Sequence, residues 1–182
     1  MSTSMGAGPN QSAILKRWRL LAIATIFLAV SSACGSSSPS SPTGPATTSS
    51  CLAAGFSKGT MSALVDGVSW TAVCVKALAG SGGPAAGLGI TGTEDAMGRL
   101  TTGRAVDMAL AAGGTGVFQI NSGFLSVDGT SYPFGVGLGT VGSVTITTFA
   151  ASGSTTNIVG AFTFPTGTSG HSVTNGSFNI TF

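Results

Sequence analysis

The sequence predicts an all-β fold: a single antiparallel β-sandwich or β-barrel-like domain that follows a signal peptide and a disordered tether. Charged residues make up only 7% of the 182 residues, whereas helices of soluble proteins usually carry Glu, Lys and Arg on their outer face. The abundant Gly, Ser and Thr suit short strands with Thr on the wet face and Gly in the turns. The predicted boundaries are 1–33 for the signal peptide, 34–50 for the tether and 51–182 for the domain.

The first 33 residues have the three parts of an export signal. A basic region ends at Arg19, an apolar run extends from Leu20 to Val30, and small residues precede Cys34. From Leu20 to Ala33 there are 14 residues, fewer than the about 20 that a membrane-spanning helix needs. The segment is therefore predicted to be a cleaved signal rather than a permanent transmembrane anchor.

Cys34 is the predicted lipidation site. The sequence Ala33-Cys34-Gly35 resembles the bacterial lipobox, in which the cysteine thiol receives diacylglycerol and the new N-terminus is acylated after cleavage. Ser31 stands where the lipobox usually has Leu. The resemblance implies attachment to a membrane through lipid, and Gly35 implies the outer membrane of the cell envelope. The alternative is an ordinary secretory signal that leaves Cys34 as a free thiol.

Residues 35–50, GSSSPSSPTGPATTSS, contain no large apolar side chain. Nothing in such a segment offsets the entropy of ordering it. A flexible chain of this length has a root-mean-square span of about 20 to 24 Å. The segment is predicted to be a tether that holds the domain near a membrane surface.

The charge of the processed chain argues against nucleic acid as a partner. Three of the seven basic residues precede the apolar run, so four basic residues face five acidic ones after Cys34 and leave a net charge of −1. Binding to nucleic acid draws on clustered Lys and Arg that release counterions from phosphates. No such patch is present in the sequence.

The three cysteines predict a disulfide. If Cys34 carries lipid, Cys51 and Cys74 remain, and such a pair is expected to oxidise outside the cytoplasm. A bridge that closes about two dozen residues stabilises by roughly 3 kcal/mol. The alternatives are a buried free Cys74 and a reactive thiol. Two cysteines and the lone His171 cannot complete a tetrahedral zinc site, so neither metal nor cofactor is predicted.

The domain begins with a predicted hairpin. Met61, Ala63 and Val65 alternate before the Asp66-Gly67 turn signal. Val68 to Leu78 alternates again and is predicted as one strand, with Val68, Trp70, Ala72 and Cys74 on one face.

A Gly-rich segment and a segment of ambiguous type follow. Residues 80–89, GSGGPAAGLG, lack the phosphate-binding pattern and are predicted to be a loop into a strand at 88–93. Glu94 and Asp95 are predicted to form a solvated turn, with a calcium ligand as the alternative. Residues 100–112 have helical propensity, but Val106, Met108 and Leu110 alternate and predict a strand.

The remaining strands are predicted at 116–120, 124–127, 132–136, 144–149, 158–164 and 173–182, with a turn at Asp128-Gly129. Pro165 ends one of these runs. Asn175-Gly176 lies inside the last run and predicts a tight turn or a bulge.

Several of these segments carry a resemblance. DGVSW at 66–70, GVFQI at 116–120, GSVTIT at 142–147, IVGAFTF at 158–164 and VTNGSFNITF at 173–182 resemble a family of uncharacterised bacterial envelope lipoproteins. That family is marked by G-x-W, G-T-Y-x-L, I-x-G-T-F-x-F and T-N-G-x-F strand motifs. Here Ala161 replaces the usual small hydroxyl residue and Phe118 the usual Tyr. The resemblance covers about residues 59–182 and implies a fold and a location, but it brings no catalytic residues.

The sequence predicts a non-catalytic binding or structural module of the envelope, with a glycan or a protein as the partner of the binding version. The candidate ligand-contact aromatics are Trp70, Tyr132 and Phe134, and the competing interpretation places Trp70 in the core. The alternative function is a hydrolase of the envelope or secreted medium. His171 could join a serine and Asp66, Asp107 or Asp128, but no G-x-S-x-G nucleophile motif is present.

Overall fold

The structure is a computed structural model that describes residues 49–138, 141–167 and 170–182. The signal peptide, Cys34 and most of the tether lie outside the described residues. A short helix, α1 (Ser49–Ala53), is followed by β1 (Lys58–Val65), β2 (Val68–Thr71), β3 (Cys74–Gly80), β4 (Gly83–Thr93), β5 (Ala105–Leu110), β6 (Gly116–Gln119), β7 (Ser122–Val127), β8 (Thr130–Gly135), β9 (Ser143–Ser152), β10 (Thr155–Phe164) and β11 (Val173–Thr181).

The strands form two antiparallel sheets that pack into a β-sandwich. Sheet I has the order β2-β1-β11-β10-β9-β6, and sheet II has the order β3-β4-β5-β7-β8. The predicted all-β fold is confirmed, and of its two predicted forms the sandwich is the one adopted. Residues 49 and 50, predicted as the end of the tether, are the first two residues of α1.

The core lies between the sheets because alternate residues of each strand point inward. In β1 the inward positions Met61, Ala63 and Val65 are buried, as the alternation predicts. Phe178 and Ile180 of β11 join them from sheet I, and Ile90, Val106 and Met108 come from sheet II.

The prediction of a single strand from Val68 to Leu78 is wrong. The chain leaves sheet I after Thr71 and enters sheet II at Cys74. The Ala72 N–H donates to Met61 O in sheet I, and the next N–H, of Val73, donates to Thr93 O in sheet II. The core positions change phase across this crossing, from Trp70 and Ala72 to Val75 and Ala77, but apolar residues on both sides of it conceal the change in the sequence. Val68 pairs with the inward Val65 but is 60% exposed, and Cys74 lies on the other face of β3 from the core residues Val75 and Ala77, so the predicted shared face is limited to Trp70 and Ala72.

The prediction of a loop over residues 80–89 is also wrong, because β4 begins at Gly83 and pairs with β3. Glycine here permits close backbone approach rather than irregular structure: a Cβ on Gly80 would lie 3.2 Å from the Cα of Gly87. The tight connection also uses Gly83 at φ 91°, a conformation that favours glycine.

Other local predictions are confirmed. The ambiguous segment 100–112 contains a strand, which is limited to Ala105–Leu110. Asp66 and Asp128 adopt φ of 52° and 50° at their hairpin turns, as Asp-Gly signals predict. Asn175, at φ 52°, lies where the pairing of β11 with both neighbours shifts register, so the Asn175-Gly176 pair forms a bulge.

Candidate functional site

Two of the three aromatic residues predicted to contact a ligand belong to the core. Trp70 is 1% exposed and Phe134 is 4% exposed. The Phe134 ring stacks on Phe164 of the opposite sheet, with 4.1 Å between the ring centroids. Ligand contact is therefore corrected at both positions, and the competing interpretation that placed Trp70 in the core is confirmed. At an inward strand position, a large apolar ring is stabilised by its removal from water. Tyr132 is half-buried and remains a candidate.

Tyr132 belongs to a cluster that joins the two sheets. Its ring centroid lies 4.3 Å from that of His171, with 55° between the ring planes. His171 Nδ1 in turn lies 2.6 Å from Asp66 Oδ2. Asp66 is in the β1–β2 turn and His171 in the β10–β11 connection, both of sheet I, whereas Tyr132 is in β8 of sheet II.

The backbone holds the Asp66 carboxylate in place. The Asp66 N–H donates to Ser172 O at 3.0 Å, and the Ser172 N–H donates to Asp66 Oδ1 at 2.8 Å. The hydrogen bond with His171 and then the Ser172 N–H lower the pKa of Asp66 below its usual value, because both stabilise the ionised carboxylate. Three hydrogen bonds, two with Ser172 and one with His171, thus join the hairpin turn to the β10–β11 connection.

This arrangement has the orientation that an Asp–His pair takes in acid–base catalysis, where a carboxylate fixes the imidazole tautomer through Nδ1. The side chains are 26% exposed for His171 and 41% exposed for Asp66, so the pair lies at the surface. Of the three acids that the sequence offered as partners, the structure places Asp66 beside His171. Asp107 instead accepts a hydrogen bond of 2.7 Å from Thr91 Oγ1.

The acidic pair Glu94-Asp95 begins a connection closed by two ion pairs. Asp95 Oδ2 lies 2.9 Å from an Arg99 guanidinium nitrogen, and Glu94 Oε1 lies 2.8 Å from one of Arg104. The hydrogen bond from Arg99 lowers the pKa of Asp95. Both carboxylates already have cationic partners, and the described residues contain no group of three or more potential metal ligands.

The predicted disulfide is confirmed. Cys51 of α1 is bonded to Cys74 at the start of β3, with 5.4 Å between their Cα atoms. Both residues are completely buried. The bridge fixes the first element of the domain to sheet II. It also closes a loop between positions 23 residues apart, which restricts the unfolded chain and so stabilises the fold.

The outer face of sheet I is almost without charge. Lys58 is the one charged residue in the six strands of this sheet. Its outward side chains are mostly hydroxyls and amides, some of which bond one another: Asn157 Nδ2 donates to Asn179 Oδ1 at 3.0 Å, and the Ser62 and Ser177 hydroxyls lie 3.3 Å apart. A shallow groove of about 270 Å³ lies on this face beside Asn175.

A second groove lies at an edge of sheet I. Its volume is about 350 Å³, and it lies between β6 and the ends of β5 and β8. The sequence predicts a strand here but indicates no role for it. The sequence feature that could have indicated an exposed sheet edge is the short uncharged segment GVFQ, in which Val117 points outward.

Comparison with protein-family models, with curated proteins and with solved structures finds no match. The resemblance to envelope lipoproteins therefore stays a prediction. Among the described residues, no helix has the length and apolarity to cross a membrane.

Proposed function

We propose that the chain is an envelope lipoprotein, held in the outer membrane by acyl groups on Cys34, with the β-sandwich as a non-catalytic binding or structural module. The Cys51–Cys74 disulfide carries this proposal. It uses both cysteines of the described domain and is typical of proteins in an oxidising compartment such as the periplasm. The remaining cysteine is the one that follows the apolar leader.

The anchor is tested by feeding cells labelled palmitate. The wild-type chain incorporates the label, and the Cys34→Ala variant does not. The matched control is the double variant Cys51→Ala, Cys74→Ala, which keeps Cys34 and should be labelled like the wild type. Equal labelling of wild type and Cys34→Ala would refute acylation at this cysteine.

The binding version of the module takes a glycan or protein partner through the outer face of sheet I. The near absence of charge supports an uncharged partner, because binding to a charged partner is usually guided by opposite charge. Affinity electrophoresis in gels that contain neutral dextran or dextran sulfate tests the glycan case. Retardation by neutral dextran alone supports it, and mobility unchanged by either polymer argues against such a glycan and leaves a protein partner or a purely structural module.

A hydrolase is the second candidate, and the Asp66–His171 contact is the observation that favours it. In a hydrolase of this kind, His171 would act as the general base for a hydroxyl nucleophile or for water. Hydrolysis of p-nitrophenyl acetate by the wild type is compared with that by His171→Gln. A rate that saturates with substrate and drops by about 100-fold or more, as for a lost general base, would support catalysis, because simple reaction of the ester with an exposed imidazole does not saturate. Equal rates favour the non-catalytic module.

A further inference from the structure

β6 is the edge strand of sheet I opposite β2 and pairs with β9 on one side. Its sequence, GVFQ, contains neither charge nor proline, and Val117 is 74% exposed. Among the described residues, no backbone hydrogen bond reaches the side of β6 that faces away from β9. The main-chain groups on that side are therefore available for pairing.

The other three sheet edges are each obstructed. At the β2 edge, Arg104 donates a hydrogen bond of 3.4 Å to Ser69 O. At the β3 edge, the Ser57 N–H donates to Val75 O, and Ser57 Oγ accepts from the Ala77 N–H. At the β8 edge, Pro133 lies within the strand, where it supplies no N–H.

Covering segments, charges, prolines and very short strands are means by which proteins prevent their sheet edges from pairing with other chains. Three edges of this sandwich have a covering segment, a charged side chain or a proline, whereas β6, which is only four residues long, has none of these three among the described residues. An edge left open in a domain that obstructs the others is the expected place for a strand of another chain to add.

The surroundings of β6 favour an apolar contact. Five of the seven residues that line the groove beside it are apolar, namely Ala111, Ala112, Val117, Phe118 and Val136, and the other two are the uncharged Gln119 and Asn121. Val136 is 55% exposed. A strand paired with β6 would cover these side chains and remove apolar area from water, which stabilises by about 25 cal/mol per Å².

We propose that β6 pairs with β6 of a second copy of this chain, antiparallel, so that the two six-stranded sheets become continuous. A two-fold interface brings the same patch of each copy together. Any charged residue on the patch would then lie near the same charge on the second copy and be repelled by it. The residues that line the groove carry no charge, so self-pairing meets no such repulsion. In such a pair, Val117 approaches the β6 side chains of the second copy across the new strand pair.

The tether does not start beside this surface. In sheet II, Cys74 pairs with Thr93, and Thr93 pairs with Ala105, at the end where α1 is attached through the disulfide. The groove lies beyond the other end of β5, after Leu110. A second copy can therefore approach β6 without displacing the start of the domain.

The test is sedimentation equilibrium of the full chain in neutral detergent over a concentration series. The wild type should show a monomer–dimer equilibrium, and Val117→Lys should raise its dissociation constant by at least about tenfold, since each copy would bring a cation to the shared edge. Val68→Lys is the matched control, because Val68 is also an exposed valine, 60% accessible, on the opposite edge strand of the same sheet. It should dimerise like the wild type.

Oxidative cross-linking in intact cells gives a second readout that does not depend on lysine being tolerated. Val117→Cys should yield a product of twice the chain mass, and Val68→Cys should not. A wild type that stays monomeric across the series overturns the proposal, as do equal effects of the two lysine variants. Cross-linking of Val117→Cys to a different protein overturns it as well, by assigning the edge to another partner.

Discussion

His171 Nδ1 lies 2.6 Å from Oδ2 of Asp66, although 105 residues separate the two in the sequence. The contact fastens the β1–β2 turn to the connection before β11, and Tyr132 covers the imidazole from the other sheet. The cluster therefore has a structural effect whether or not it has a chemical one.

Replacing Asp66 with Asn should destabilise the domain at neutral pH by no more than about 1 kcal/mol, because the pair is exposed to solvent. The folded-state pKa of Asp66 lies below its unfolded value of 3.8, so the ionised carboxylate stabilises the fold above that value. This contribution is lost as the pH falls through the folded-state pKa. Urea unfolding of wild type and Asp66→Asn should thus differ at pH 7 and converge in strong acid.

Asp128→Asn is the matched control, because Asp128 occupies the same position in the β7–β8 turn, with φ 50°. Asn tolerates this conformation, so the control should unfold like the wild type at both pH values. A difference between Asp66→Asn and wild type that persists unchanged below the folded-state pKa would contradict the ionic role of Asp66.

Removal of the disulfide should destabilise the domain by about 3 kcal/mol. The bridge closes a loop between positions 23 residues apart, and its loss restores freedom to the unfolded chain. Urea unfolding of the double variant Cys51→Ala, Cys74→Ala measures the change, and Cys34→Ala should leave the midpoint where it is. An unchanged midpoint in the double variant would show that the crosslink contributes little.

Gly160→Ala should destabilise by about 1 to 3 kcal/mol through overpacking. A Cβ on Gly160 would lie 2.3 Å from Thr145 O and 2.6 Å from Phe178 Cζ. Gly89→Ala is the control in a strand of the other sheet, where the nearest contact of the new Cβ is an ordinary 3.9 Å. Thermal unfolding should separate the two variants; equal midpoints would mean that the sheets relax around residue 160.

Phe134→Ala should cost about 3 to 5 kcal/mol, the usual effect of deleting a buried aromatic ring. The ring is 4% exposed and stacks on Phe164. Tyr132→Phe, which keeps the neighbouring half-buried ring and removes only its hydroxyl, should change the unfolding free energy much less. Comparable small losses in both variants would place Phe134 outside the core and restore it as a ligand contact.

Features that depend on local sequence could be predicted. The alternation of Met61, Ala63 and Val65 defines a strand, and the Asp66-Gly67 pair defines its turn, because both are set by neighbours along the chain. The Cys51–Cys74 bridge followed from assigning Cys34 to lipid, which left two cysteines in the domain.

Features that depend on which sheet a residue joins could not be predicted. Ala72 and Val73 bond to different sheets, and the core positions shift from Trp70 and Ala72 to Val75 and Ala77. The run of apolar residues through the crossing gives no sign of this shift. Periodicity also places Trp70 on a face without saying whether that face is covered. The contact of His171 with Asp66 depends on the pairing of β1 with β11, which no local pattern specifies.

The central proposal, an envelope lipoprotein anchored at Cys34, is tested most directly by the intact mass of the protein purified from the cell envelope. The proposal predicts a chain that begins at Cys34 and carries the additional mass of a diacylglycerol and an acyl group. It also predicts one disulfide between Cys51 and Cys74 in the same molecule. A mature chain with an unmodified Cys34, or one cleaved at another position, would contradict it.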